Sequence, residues 1–315
     1  MESIFVSIAC LLDPDIVNTI NDCFNKASKP KNITIGVCYQ KDYDKKDILE
    51  PLEKEYGNRV KIIRISWDKA EGPMFARNKI LSLIDQEKYF LQIDCHTRFY
   101  KDWDKIILSE YNLCLEQSDK PIISYYPINI NNMTNPIHTR NIYHIATFRE
   151  VSKNGVKTSG RVVPVPKIPM KGIGITAAML FMPSEVVKSV PIDPNLPFAL
   201  HSGEQLLYAI RLWTRGYDFF TPTQHILATE YITNRNRIDI KYRSVLNGKA
   251  NNANSDVWKK VKYLLGLDKI ENVPTNLKKN NEKIWREGDA RGLDEYYKMA
   301  GIYDRLKELY PNMRV

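Results

Sequence analysis

Tyr89-Phe-Leu-Gln-Ile-Asp-Cys-His-Thr-Arg-Phe-Tyr-Lys-Asp-Trp-Asp104 decides the fold. Its first five residues, Tyr89 to Ile93, are aromatic, branched or long apolar side chains broken only by Gln92. Such a run predicts a strand buried on both faces. It ends in Asp94, Cys95 and His96. On an extended chain, residues two apart point to the same side, so the spacing predicts that Asp94 and His96 share a face. Carboxylate and imidazole both ligate divalent ions. A strand ending in such a pair stands where an open α/β sheet holds its ligand, outside the carboxyl ends of its strands. Spacing alone fits an ordinary charged turn equally well.

Working outward, Ile4 to Cys10 predicts the strand that opens the sheet, with further strands at Ile33 to Tyr39 and Val60 to Ile65. Asp13-Pro14 predicts a helix start with Asp13 as the N-cap, and Ile16, Ile20, Cys23 and Phe24 form its apolar face. Gly72-Pro73 breaks the chain before a helix running through Ile84. That helix carries Arg77 in its first turn, where a guanidinium can take a diphosphate bidentately. A helix from Asp104 to about Glu116 and a strand from Pro121 to Tyr126 follow. Residues 127–170 are polar and rich in Pro and Asn, which predicts a long irregular segment of the kind that is usually functional or mobile. Glu204 opens another helix, where a carboxylate suits the dipole and the orphan amides. Strands separated by helices predict an α/β class with a mostly parallel sheet.

The chain has 315 residues, a hydrophobic fraction of 43% and a net charge of +9. No apolar run is long enough to span a bilayer, and Met1-Glu-Ser-Ile-Phe5 lacks the basic start of a signal peptide. The expectation is a cytoplasmic chain without a transmembrane segment. Its five cysteines form no close metal-type pair, which fits reduced, buried thiols. The basic residues are scattered, with no RNP-like motif, zinc-finger spacing or basic-aromatic repeat, so no nucleic-acid partner is expected.

The segment Gln92-Ile-Asp-Cys-His96 with Phe99 resembles the Gln-Ile-Asp-Ser-His-x-x-Phe of polypeptide GlcNAc-transferases, the cytosolic hydroxyproline-modifying and mucin-type α-GlcNAc-transferases of GT-A fold. It is more distantly similar to the polypeptide GalNAc-transferases. Ala70-Glu-Gly-Pro-Met-Phe-Ala-Arg77, the small-residue stretch ending Thr176-Ala-Ala-Met-Leu-Phe181, and Gly203-Glu204 followed by Arg211-Leu-Trp-Thr-Arg-Gly-Tyr-Asp218 match the same pattern. The resemblance covers most of the chain, more weakly at 105–169 and 236–285. It implies a GT-A catalytic domain at 1–235 with a helical C-terminal extension packed on it at 236–315. It also implies a retaining transfer of GlcNAc from UDP-GlcNAc to a hydroxyl of a polypeptide or glycan, assisted by Mn2+ or Mg2+.

By the same resemblance, Ser7, Ala9, Asp13, Arg77, Gln92, Asp94, Ala177 and Ala178 bind the UDP-sugar donor. His201, Glu204 and Trp213 lie on the acceptor side, and Glu204, Asp94 and Arg77 carry the catalysis. Asp94 and His96 hold the metal. The family's third ligand position is Thr229 here, leaving Glu230 or His225 as substitutes. If one strand ran through both, His225 would share the face of Thr229 but lie roughly 13 Å back along it. Leu12 and Gln205 also depart from the family pattern, where Arg and Glu stand. These departures leave open a GT-A transferase with another sugar nucleotide or acceptor, and a non-catalytic protein that holds a sugar nucleotide or glycan.

Overall fold

The computed structural model describes residues 2–153, 155–199, 203–231, 240–278 and 282–314. Ile4–Leu11 (β1), Ile33–Lys41 (β2), Val60–Ser66 (β3) and Tyr89–Asp94 (β4) lie side by side in parallel, in the order β4-β1-β2-β3. Thr97–Phe99 (β5), Pro121–Ile123 (β6), Ile128–Asn129 (β7), Asn141–Ser152 (β8), Gly155–Pro164 (β9), Met170–Gly172 (β10), Met179–Pro183 (β11), Asp218–Thr221 (β12) and Leu227–Thr229 (β13) follow along the chain. The large sheet has the order β10-β12-β6-β11-β4-β1-β2-β3, with β11 antiparallel to both its neighbours. A small sheet, β5-β13-β7, stands beside it, and β8 and β9 form a separate two-stranded ribbon.

Strand alternation assigns the faces. Ile4, Val6 and Ile8 of β1, with Tyr89, Leu91 and Ile93 of β4, pack in one core with the helices Ile16–Asn25 and Trp103–Leu115. Phe5 and Phe90 pack in a second core with the helices Pro73–Ile80 and Glu204–Trp213. By the period of two, Ser7, Ala9, Gln92 and Asp94 turn toward that second side. The register supports this: Ser7 stands opposite Gln92, and Ala9 opposite Asp94. The polar residues of the quoted strand therefore face the helices that carry Arg77 and Glu204.

The second core extends into the C-terminal helices. Val257, Trp258, Val261 and Leu264 of the helix Ile240–Leu264, and Tyr296 and Tyr297 of Leu293–Met299, are buried in one cluster with Leu206, Leu207 and Ile210. Gly203, with φ +91°, lets the long helix approach; a Cβ there would lie 2.7 Å from the Trp258 ring. Near its start, Tyr242 hydrogen-bonds Asp42, just beyond β2. No described helix is long and apolar enough to cross a membrane.

Several local expectations change. The helix after Gly72 is α-helical only over Pro73–Ile80 and closes as a 3-10 turn at Leu81–Leu83. Asp13 does not cap the first helix, which begins at Ile16 after Asp15. Its Oδ1 instead accepts from the Asp15 amide at 2.9 Å, an Asx-type turn. The segment 127–170 is not irregular throughout, because β8 and β9 pair across ten registered positions with two irregularities. Ile142, Tyr143, Ile145, Phe148, Val156, Val162 and Val163 supply β-formers, and Asn154-Gly155 is a hairpin signal that the Pro- and Asn-rich flanks obscured.

Candidate active site

Arg77, Gln92, Ala177, Glu204 and Gln205 line one pocket, with Met74, Ile175 and Tyr208 as apolar walls. Arg77 is buried on its short helix, and its guanidinium reaches the Asp94 carboxylate at 3.6 Å. Burial pulls the Arg77 pKa below its usual value, while the charges of Asp94 and Glu204 hold it up. A cation so placed persists because two carboxylates offset its desolvation. Gln92 donates from Nε2 to the Ala177 carbonyl at 2.8 Å. The buried Nε of Arg77, Oε1 of Gln92 and Oγ of Ser7 have no hydrogen-bond partner among the described residues. Buried polar atoms are rarely left so, and a polar ligand would satisfy them. Glu204 is the first residue of its helix and is buried. The pocket itself has only about 20 Å³ of room, where one water needs about 10–15 Å³.

The strand alternation expected to place Asp94 and His96 on one face does not carry over to the structure, although the Asp94 charge still acts on His96. The chain leaves the extended conformation at Cys95 and His96, so strand alternation stops at Asp94. Asp94 turns to Arg77, and His96 Nδ1 meets Asp13 Oδ2 at 3.1 Å. Asp13, Cys95 and His96 offer ligand atoms within 4.8 Å of one another, and Asp94 is outside that group. Burial opposes a charged imidazole, yet the Asp13 hydrogen bond, Cys95 and the Asp94 charge outweigh it and push His96 up to about 10. The Cys95 thiol is pushed well up by its hydrogen bond with Cys10 and by burial, so it stays protonated at neutral pH. The surroundings thus favour positive charge, and the Asp13 carboxylate and His96 imidazole are donor types that a divalent cation accepts.

The other expected residues divide. Ala9 and Ala178 lie on the strand and turn that border Gln92 and Ala177. His225 is not on the strand of Thr229, because β12 ends at Thr221 and β13 begins at Leu227. Its Nε2–H donates to the Asn141 carbonyl at 2.9 Å and its ring lies against Tyr100 and Tyr125. Thr229 does reach the site region: its Oγ1 donates to the His96 carbonyl at 3.3 Å, and the Glu230 amide donates to the same carbonyl at 3.0 Å. Neither the Glu230 nor the His225 side chain joins the Asp13–Cys95–His96 group. Trp213 sits at the far end of the helix from Glu204, nine steps or about 13 Å along its axis. There it packs on Tyr296 under the Arg291 guanidinium. His201 lies outside the described residues. The pairing of Asp13 with His96 was hidden because 83 residues separate them. Adjacent strands in register, β1 and β4, bring them together.

A family model described as Glycosyltransferase (GlcNAc) matches residues 3–53 and 46–305. No curated protein matches the sequence significantly. Among solved structures, GalNAc-T7 with UDP, GalNAc and Mn2+ superposes over 98% of this chain and 59% of its own, at 12% identity and a TM-score of 0.56. The chain therefore spans less than two thirds of that protein's length. TarS 1-349 of S. aureus in complex with UDP-GlcNAc matches over 98% of this chain and 83% of its own, at 12% identity and a TM-score of 0.47. The similarity to GalNAc-T7 identifies the mixed sheet flanked by helices as the GT-A fold.

Proposed function

Since this chain belongs to the Glycosyltransferase (GlcNAc) family and is a GT-A glycosyltransferase, we propose that it transfers GlcNAc from UDP-GlcNAc to a hydroxyl of a polypeptide or glycan with retention of configuration. One observation carries the reading: Arg77, Asp94, Gln92 and Glu204 converge at the carboxyl ends of β1 and β4, the ligand end of an open α/β sheet. Ser7, Ala9 and Asp13 border the nucleoside. Gln92, Ala177 and Ala178 border the sugar, and Glu204 orients the sugar or the incoming hydroxyl.

Negative charge grows on the diphosphate as the sugar–phosphate bond breaks, and preorganised positive charge lowers that barrier. Arg77 supplies it from a fixed, desolvated position, with its Nε still available to an oxygen. His96, flanked by Asp13 and Asp94, would hold a divalent ion, Mn2+ or Mg2+, and such an ion neutralises the leaving diphosphate when bound. The helical region from 236 onward is proposed as an extension that supports the helix bearing Glu204.

Release of UDP from a panel of sugar nucleotides, with MnCl2 or with EDTA, tests this. The expected outcome is turnover of UDP-GlcNAc that EDTA suppresses. Turnover of a different sugar nucleotide alone, or none of any, would sink the donor assignment.

A further inference from the structure

A second pocket, of about 410 Å³, opens beside the first site and has no assigned role. Tyr126, Tyr143 and Tyr231 line it, with Asn129, Asn132, Ser159 and Gly160. None of the described residues lining it carries a charge. Its position is tied to the reacting end through the backbone. Glu230, next to Tyr231, donates its amide to the His96 carbonyl at 3.0 Å, and Asn129 stands in register with Thr229. The Asp94 carboxylate is close enough to raise the Tyr231 phenol further than burial alone does. The Tyr231 ring is anchored by its hydroxyl, which donates to the Pro127 carbonyl at 2.6 Å. At Gly160 an added Cβ would lie 2.8 Å from the Tyr126 ring, so a bare backbone there leaves that ring its place.

We propose that this pocket binds the acceptor, and that the acceptor is a saccharide seated through one pyranose ring. The proposal rests on the transferase reading above and narrows it. A pyranose offers C–H faces to aromatic rings and hydroxyls to amides, with no charge to neutralise, and the volume suits a small ligand.

Saturation-transfer NMR tests the pocket with no donor present. The probes are the methyl pyranosides of galactose, glucose, mannose, fucose and N-acetylglucosamine, beside a Thr-containing nonapeptide. At least one pyranoside should receive saturation from the unmodified protein. Its affinity should fall about tenfold in Tyr143→Ala. Asn132→Trp, at the half-exposed rim, should block the pocket without touching the core, and circular dichroism checks the fold of both variants. The proposal is overturned if no pyranoside binds, or if binding is unchanged in the folded variants. Peptide binding lost in both variants overturns it too, in favour of a peptide acceptor. Because no donor is present, absent UDP release would count against the donor reading and not against this one.

Discussion

Asp94 lies where a parallel strand ends, and its carboxylate is the group that holds the Arg77 guanidinium beside the pocket. Asp94→Asn keeps the shape and removes the charge. Turnover should drop at least about a hundredfold, the usual loss of one preorganised electrostatic group, and the thermal midpoint should fall as well, because buried Arg77 loses one of its two compensating charges. A folded variant of undiminished rate would remove Asp94 from the mechanism. A second residue-scale expectation concerns His144 and His225, whose pKa values burial lowers. Arg161 adds to the lowering at His144, and the Asn141 carbonyl partly opposes it at His225. Below the unfolded value of about 6.5 the unfolded chain takes up protons that the folded chain refuses. Stability is therefore complete above about pH 6.5 and is lost as pH falls below it, by up to about 1.4 kcal/mol per pH unit for each histidine. Thermal melts at pH 7.5 and 5.5 should show a fall that shrinks in the H144Q/H225Q double variant. An equal fall in the double variant would assign the effect elsewhere. At this scale the resemblance singled out Asp94, Arg77, Gln92 and Glu204, and the structure brings all four to one region because they sit on neighbouring regular elements. The place of His96 was not legible, because the chain bends between Asp94 and Thr97.

At the scale of elements, Gly203 joins two helices. It opens the helix Glu204–Trp213 with φ +91° and faces Trp258 and Val261 of the helix Ile240–Leu264. Gly203→Ala should cost about 2–5 kcal/mol, summing a left-handed backbone with overpacking. Adding Trp258→Leu should recover the overpacking share and leave the backbone share, which a double-mutant cycle of denaturant melts separates. Strict additivity would mean the two residues do not press on each other. Strands β1 to β4 could be placed from sequence because each is rich in branched or aromatic residues and is separated from the next by a turn or helix. The ribbon of β8 and β9 escaped, since its β-formers are interleaved with Arg, Glu, Lys and Asn. Its strands pair only with each other, so no neighbouring strand of the large sheet points to it in the sequence.

For the whole molecule, the second core joins the sheet, the helix of Glu204 and the C-terminal helices in one apolar cluster. A chain ending at residue 235 would uncover Leu206, Leu207, Ile210 and Trp213. It should express as aggregates or as a loosely packed species that binds ANS. A soluble fragment with a sharp melt would show that residues 1–235 stand alone. The pocket beside Arg77 acts on the whole turnover cycle. With room for about one water, it cannot seat a pyranose without moving its walls. On the proposed reading, the donor's apparent affinity is reduced by the fraction of molecules standing open. UDP, which carries no sugar, escapes that reduction. The spent nucleotide is then the stronger competitor, and progress curves should bend early, well before the donor is used up. A phosphatase that destroys UDP should straighten them, and curves that stay bent would place the slowing in some step other than product rebinding.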